Sequence, residues 1–308
     1  MADEILTGSG GGGDILVAEV QSKYAQLSLA DRASLRNHPT LVNLGPNLIG
    51  SGTEQISIFG LDGSDLMTAR TEIQAISNQA FSVSSVTCTP APYRIAYDYS
   101  DQIGALDPSG VVNSYRLAQS IVGSATMTLT NLIAQAIDGF TAVGTTGVDF
   151  THDTFLAGQF ALDQASVNGP YLCVLHPKQF TDWQSDLETR GGVTQWRPAT
   201  AEMQMLRGQG YKGMYNNIDI FVSSKVQPDG GGSTDWYGGL FGAGAVAYKE
   251  MALGPAPRSQ IVLLDVEGVI RVAESRNELS GDTQVVGHYF VGACNPEASR
   301  GRTLISAQ

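Results

Sequence analysis

Charged residues are scarce in this sequence: they make up 16% of the chain, against roughly 25% in ordinary soluble domains. The charges that are present are mainly acidic, and the formal net charge is -12. Tight binding to phosphates requires clustered Lys and Arg. The sequence has no such cluster, and its only lysines are Lys23, Lys178, Lys212, Lys225 and Lys249. The composition therefore argues against tight, direct binding of nucleic acid.

Cysteine and long apolar runs are also lacking. Cys88, Cys173 and Cys294 lie far apart, and such an odd, sparse set argues against a disulfide framework and fits a reducing cytoplasm. The first residues, MADEILTGSGGGGD, have no basic start followed by an apolar run, so they predict no signal peptide. Residues 117–137 carry no charge, but Ser, Thr, Asn and Gln interrupt them, which excludes a membrane helix.

One stretch, YLCVLHPKQFTDW at residues 171–183, places Cys173, His176 and Lys178 close together. Successive side chains of a strand point to opposite faces, so Cys173 and His176 would diverge. His176 also precedes Pro177, a plausible helix start, where a polar side chain is ordinary. We therefore interpret the stretch as a strand turning into a helix and not as a reaction centre.

Other catalytic and metal-binding patterns are missing. The His and Cys residues form no close pair for a metal, and the glycine-rich stretches at residues 8–13 and 229–235 lack the spacing and lysine of a phosphate loop. His152 and Asp153 are neighbours, but Asp153 is better explained as a helix N-cap. The sequence predicts no catalytic, cofactor-binding or metal-binding residues, no cofactor and no enzyme. A site assembled from distant residues remains the alternative.

Hydrophobic residues and glycine are plentiful. Hydrophobic residues make up 42% of the chain, enough for a substantial core. Glycine contributes 36 of the 308 residues, well above its usual share of about 7%. Low charge together with high glycine suggests that much of the surface is covered by something other than water, and the best candidate is another copy of the chain.

The first 90 residues predict extended elements and no compact domain. A short amphipathic helix begins near Asp14, and Pro39 and Pro46 then enforce an extended arm. Residues 52–90 predict a long hairpin, with strands EQISIFG and FSVSSVTCT and a turn at LDGSD. A lone hairpin is only marginally stable in water, so the sequence predicts that another surface covers it. The hairpin and the arm both have apolar faces that we do not expect the chain's own domain to cover.

Residues 107–139 predict a long helix, capped by Asp107, opened by Pro108 and closed by Gly139. Some 30 residues at about 1.5 Å each give a rod of roughly 45 Å. Its apolar face consists of Ala118, Ile121, Val122, Ala125, Leu129, Leu132, Ile133 and Ala136.

The remaining chain predicts alternating helices and strands. Residues 260–275 either fold back at Glu267-Gly268 or form one straight strand. The predicted segments are helices at 153–166 and 177–190, strands at 170–176 and 218–224, a loop at 227–235, a small-residue strand region at 239–252, and long strands at 260–275 and 282–294.

This order of elements resembles the major capsid proteins of tailed double-stranded-DNA bacteriophages, whose α+β fold is shared with encapsulins and the herpesvirus capsid floor. The resemblance covers nearly the whole chain. The passages that carry it are PYRIAYDYSDQIGALDP leading into SGVVNSYRLAQSIVGSATMTLTNLIAQAID, then YLCVLHPKQFTDW, then NNIDIFVSSKV followed by a glycine-rich loop.

The resemblance implies four regions: an N-terminal arm at 1–50, an extended β-hairpin loop at 51–92, a peripheral domain with the long spine helix at 93–140 and 255–290, and an α/β axial domain at 141–254 and 291–308. It also implies that the chain is a structural protein. Pentamers and hexamers of this chain would form an icosahedral shell around a phage genome, as part of the virion, after assembly in the host cytoplasm.

The expected partners are other copies of the chain, a portal, a scaffolding protein and, where the shell is reinforced, a cement protein. A separate scaffolding protein is expected because 50 residues are too few for a built-in scaffold of the larger kind. Some relatives crosslink the shell through a lysine in the extended loop, but residues 51–92 contain none, so we expect no such isopeptide bond.

Two other functions stay open at this point. An encapsulin-like nanocompartment shell would have the same fold but enclose an enzyme cargo in place of DNA. A soluble α/β enzyme of unknown class is the more distant alternative, and it would behave as a small oligomer.

Overall fold

The computed structural model describes residues 35, 38–45, 54–59, 83–100, 114–167, 169–191, 195–207, 210–226, 235–254, 261–266, 268–277 and 281–307. The helix predicted near Asp14, the turn predicted at LDGSD and the cap predicted at Asp107 and Pro108 lie outside these residues.

The described chain folds into helices and strands in the following order. The strands are β1 Val42–Asn43, β2 Glu54–Phe59, β3 Val83–Cys88, β4 Ala91–Ser100, β5 Thr141–Gly144, β6 Tyr171–Leu175, β7 Trp196–Pro198, β8 Tyr211–Tyr215, β9 Ile218–Val222, β10 Asp235–Phe241, β11 Ala247–Glu250, β12 Ile261–Val266, β13 Ile270–Asn277, β14 Asp282–Cys294 and β15 Gly301–Ala307. The helices are α1 Ser114–Ile137, α2 His152–Gln164, α3 Pro177–Thr189 and α4 Ala201–Arg207.

The first sheet has the strand order β1-β11-β14-β13-β12, and β4 pairs along the other edge of β14. The long strand predicted at 282–294 is confirmed as β14. The segment 260–275 folds back on itself, because β12 and β13 pair antiparallel. Gly268 makes this turn possible with a φ of 73°, and its N–H donates to Asp265 Oδ1 at 2.9 Å.

The second sheet is mixed, with the order β5-β15-β10-β6-β9-β8-β7. The strands predicted at 170–176 and 218–224 are confirmed as β6 and β9, which run parallel. The predicted small-residue region 239–252 contains the end of β10, which belongs to this sheet, and all of β11, which belongs to the first. Gly244, with a φ of 87°, lies in the turn between them.

Helix α1 joins the two sheets. Its first half packs Ala118 and Ile121 against Val272 and Val285 of the first sheet. Its second half belongs to the main core, which draws on both sheets and includes Ala125, Leu129, Ile133, Ile137, Leu172, Phe241, Tyr289 and Val291. The predicted apolar face is therefore confirmed as the buried face of the helix.

Four hydroxyl side chains of α1 form hydrogen bonds within the helix. The hydroxyls of Ser124, Thr126, Thr128 and Thr130 each donate to the carbonyl four residues earlier, at 2.9–3.2 Å. Such bonds let hydroxyl side chains pack at a partly buried interface. Among the described helices, none is long and apolar enough to cross a membrane.

Candidate functional site

The stretch around Cys173, His176 and Lys178 is a strand followed by a helix, as predicted. Cys173 is 0% exposed in the centre of the second sheet, with Ile220 and Leu240 as its neighbours on the flanking strands. Burial raises the pKa of the Cys173 thiol. A buried thiol whose charged form is disfavoured is a poor nucleophile.

His176 is the N-cap of α3. Its Nδ1 accepts a hydrogen bond from the Lys178 N–H at 3.2 Å, and its own N–H donates to Gln179 Oε1 at 3.1 Å. The ring stacks on Trp236, with 3.5 Å between the centroids, and burial lowers the pKa of His176. Lys178 Nζ binds Asp182 at 2.6 Å. The polar groups at this boundary thus have structural partners.

The predicted N-cap role of Asp153 is wrong. Thr151 is the N-cap of α2, and its hydroxyl accepts from the Thr154 N–H at 3.3 Å. Asp153 lies in the first helical turn, where it binds Arg190 through two hydrogen bonds of 2.6 and 2.9 Å. Its neighbour His152 makes a separate contact, with Nε2 3.2 Å from the hydroxyl of Tyr215.

The end of the arm packs on the body of the same chain. Leu35 and Leu41 are buried in the main core, and β1 adds a parallel strand to β11. Our expectation that the chain could not cover the apolar face of its own arm is therefore wrong for this segment. The reason is that β11 offers a free edge on which two residues of the arm can pair.

A buried polar cluster fixes the same part of the arm. The Thr40 N–H donates to His38 Nδ1 at 3.3 Å, which places the proton on Nε2, and Nε2 donates to Asp219 at 3.2 Å. Tyr211 donates to the other oxygen of Asp219 at 3.1 Å, and Arg207 lies 2.7 Å from it. Burial alone raises the pKa of Asp219, but the bonds from His38, Arg207 and Tyr211 lower it below its usual range.

The predicted hairpin is confirmed in its two strands. β2 and β3 pair antiparallel from Glu54 opposite Cys88 to Phe59 opposite Val83, and they form a two-stranded sheet of their own. We call this pair of strands the ribbon. Ser85 and Thr87 are exposed, whereas Cys88 at its base is buried against β14.

Besides the ribbon, two pairs of apolar side chains are exposed on the body. Leu156 and Phe160 project from α2, and Phe160 is 67% exposed. Ile261 and Val262 are exposed on β12, the terminal strand of the first sheet. Large apolar side chains with this much exposure are typical of contact surfaces between proteins.

Within the described ranges, no group of three or more His, Cys, Asp and Glu side chains is arranged to hold a metal ion. The residues brought together in this structure form helix caps, ion pairs and anchors for extended segments. The arrangement therefore holds segments of this chain together, and the two extended elements are its main candidates for function.

Comparison with known proteins shows that this chain is similar in fold to solved structures. No family model and no curated protein matches the chain. The capsid of cyanophage P-SCSP1u matches with a TM-score of 0.59 at 13% identity, over 90% of this chain and 89% of that chain. The head structure of Helicobacter pylori bacteriophage KHP40 matches with a TM-score of 0.53 at 11% identity, over 89% and 92%.

An encapsulin has the same fold. The holo-SrpI encapsulin complex from Synechococcus elongatus matches with a TM-score of 0.55 at 12% identity, over 86% of this chain and 84% of that chain. The chain thus has the α+β fold of phage capsid proteins and encapsulins, and the predicted fold class is confirmed.

Sequence reasoning missed several parts of the candidate site. It did not predict β15, the burial of His38 or the approach of Cys88 to β14. The local signal for β15 was weak: Thr303 and Ile305 are β-branched residues that favour strands, but residues 303–306 show no polar–apolar alternation. The other contacts join residues that lie far apart in sequence, and no local pattern predicts them.

Proposed function

We propose that this chain is a major capsid protein whose copies assemble into the icosahedral shell of a phage particle. The observation that carries the proposal is the match of fold over 90% of the chain to a capsid protein, with 89% of that chain covered as well. The shared fold thus spans most of this chain and most of the capsid protein. The ribbon, which pairs with no other described strand, supports the same conclusion.

In this proposal the four regions have separate roles. The extended loop at 51–92 reaches neighbouring copies, whereas the arm at 1–50 is fixed to the body of its own chain through residues 38–44. The spine helix and late strands form the peripheral domain, and the second sheet forms the axial domain. We place β11 with the peripheral domain, because it pairs with β14. The chain itself performs no catalysis, which fits a structure in which polar groups of the candidate site serve as caps and ion pairs.

The particle is further proposed to enclose double-stranded DNA without binding a specific sequence, which fits the net charge of -12. Assembly in the host cytoplasm would involve a portal and a separate scaffolding protein. Since residues 51–92 contain no lysine, we expect the chains to separate fully when particles are boiled. A ladder of covalent oligomers in denaturing gels would contradict this expectation.

The encapsulin match makes a nanocompartment shell the second candidate. Electron microscopy of the purified protein tests both, because each predicts closed shells. Nuclease-protected DNA inside particles from infected or induced cells supports a phage capsid, and a protein cargo without DNA supports a nanocompartment. A chain that stays a monomer or small oligomer under all assembly conditions, including co-expression with its neighbouring genes, would overturn both.

A further inference from the structure

Two cysteines lie where the ribbon joins the body. Cys88 is the last residue of β3 and is 0% exposed. Cys294 is the last residue of β14 and is partly exposed. Neither forms a disulfide bond in this structure, and they are far apart in sequence, so only the fold brings them together.

The register of the first sheet places the two cysteines opposite each other. β4 pairs with β14 up to Ala91 opposite Val291. Three more residues in the same antiparallel register bring Cys88 opposite Cys294. β11 does not compete for this position, because it pairs with Cys294 through Ala247 on the other edge of β14.

The contacts agree with this register. Cys88 Sγ donates to the Gly292 carbonyl at 3.7 Å. A Cβ on Gly292 would collide with the carbonyl of Thr89, so this segment lies directly against β14. A hydrogen bond between the Cys88 and Cys294 thiols, together with burial, raises the pKa of Cys294. The two thiols are therefore neighbours.

We propose that Cys88 and Cys294 form an intrachain disulfide bond when the protein meets a small-molecule disulfide. Directly opposite residues of antiparallel strands have Cα atoms about 4.5 or 5.5 Å apart, and disulfides form at Cα separations of about 4.4–6.8 Å. The bond thus requires rotation of two side chains and little movement of the backbone.

The chemistry proceeds by thiol–disulfide exchange. Cys294 attacks the small disulfide first because it is the partly exposed thiol of the pair. Its raised pKa keeps the thiolate fraction small, so this step is slow and requires long incubation. The attack forms a mixed disulfide and releases one thiol. Cys88 then loses its proton and attacks the Cys294 sulfur, which releases the second thiol. The two protein thiols are oxidised by loss of two hydrogen atoms in total, and the small disulfide is reduced to two thiols.

The bond would fix the base of the ribbon to β14. It rests on the proposed function only for its timing: the thiols stay reduced during assembly in the cytoplasm, and they become oxidised after release of the particle. The direction in which the ribbon leaves the body would then be locked after assembly, when it lies on a neighbouring copy.

The test uses the full-length protein, both as unassembled subunits and as particles. The protein is incubated with oxidised glutathione, its free thiols are alkylated, and peptides are mapped by mass spectrometry without reduction. We expect a linked pair of Cys88 and Cys294 peptides, with Cys173 alkylated only after unfolding. Three alkylated cysteines after prolonged incubation, or a link between different chains, would overturn the proposal.

Thermal unfolding provides a second measurement. The oxidised wild-type protein should melt at a higher temperature than the reduced protein, and Cys294→Ser should lose this shift. Cys173→Ala is the matched control, since it removes a cysteine and should keep the shift. An equal shift in Cys294→Ser would overturn the proposal. Because unassembled subunits answer the question, failure of the disulfide and failure of shell formation are distinguishable.

Discussion

The arm and the ribbon are both extended segments without a domain of their own, yet they pack differently. Residues 38–44 of the arm lie on the body of the same chain, with the Val42 N–H bound to Val246 O at 3.1 Å and the Leu44 N–H to Tyr248 O at 3.0 Å. The strands of the ribbon pair with each other, and the buried Cys88 anchors only the base. An extended sequence therefore does not by itself indicate that the segment contacts a neighbouring copy of the chain.

The difference has a physical origin in the side chains of each segment. The arm carries Leu41 and His38, which find an apolar core and a buried carboxylate respectively. In the ribbon, β3 reads VSSVTC and offers mainly small side chains to the body, whereas the larger apolar residues Ile56, Ile58 and Phe59 lie on β2. A segment docks in its own chain when burial and hydrogen bonds offset the cost of ordering it.

The largest effect should come from removing the ribbon. Because Glu54 pairs with Cys88, residues 55–87 can be replaced by a short Gly-Ser turn without moving the body. We expect a folded subunit that forms no shells, as judged by circular dichroism and electron microscopy. Shells of normal size and yield from this variant would show that assembly does not require the ribbon, and the proposed difference in function between the ribbon and the arm would be wrong.

Gly287→Ala should instead destabilise the folded body of the subunit. A Cβ at this position would collide with the Ile121 side chain, at the contact of α1 with β14. We expect the free energy of unfolding to fall by about 3 kcal/mol, the upper end of overpacking effects, in chemical denaturation of the subunit. The pair Gly287→Ala with Ile121→Ala should lose less than the sum of the two single changes. Strict additivity would show that the contact is not tight.

Asp219→Ala should release the arm. The change leaves His38 and Tyr211 without their acceptor, which we expect to cost about 2 kcal/mol and to speed proteolysis within residues 38–45. Asp219→Asn keeps an acceptor oxygen and is the matched control, with a smaller effect. Unchanged proteolysis in Asp219→Ala would mean that other contacts hold the arm.

The same residue predicts a dependence on acid. The folded-state pKa of Asp219 is lowered, so its carboxylate contributes stability above the unfolded pKa of about 4, and this contribution is lost as the pH falls through the folded pKa. Wild-type subunits should therefore lose more stability on acidification than Asp219→Asn subunits do.

The smallest effect should come from His176→Asn. The folded-state pKa of His176 is lowered, so the unfolded chain binds the proton first and stability falls as the pH drops below about 6.5. Asn keeps the helix cap without titrating. When the pH is lowered from about 7.5 to about 5.5, the melting temperature should fall less in the variant than in the wild type. The corresponding difference in the free energy of unfolding should be under about 1 kcal/mol. An identical fall would show that the cap survives protonation of His176.

Local patterns predicted much of the body. The apolar spacing of α1, Pro177 at the start of α3, and the apolar runs of β6 and β9 all lie in the elements that they indicate. The prediction for Asp153 failed because Thr151, two residues earlier, offers an equally good capping group. The prediction for the arm failed because its partners Val246 and Asp219 are distant in sequence.

The sequence alone determined the periodic elements, the scarcity of charge and the absence of lysine from residues 51–92, because these depend on residues close together or on composition. Only the tertiary structure decided that the arm packs on its own chain, that the two strands of the ribbon form a separate sheet, and that Cys88 lies next to Cys294. These outcomes depend on strand register and on which sheet edges stay free, and both are fixed only when distant segments pack together.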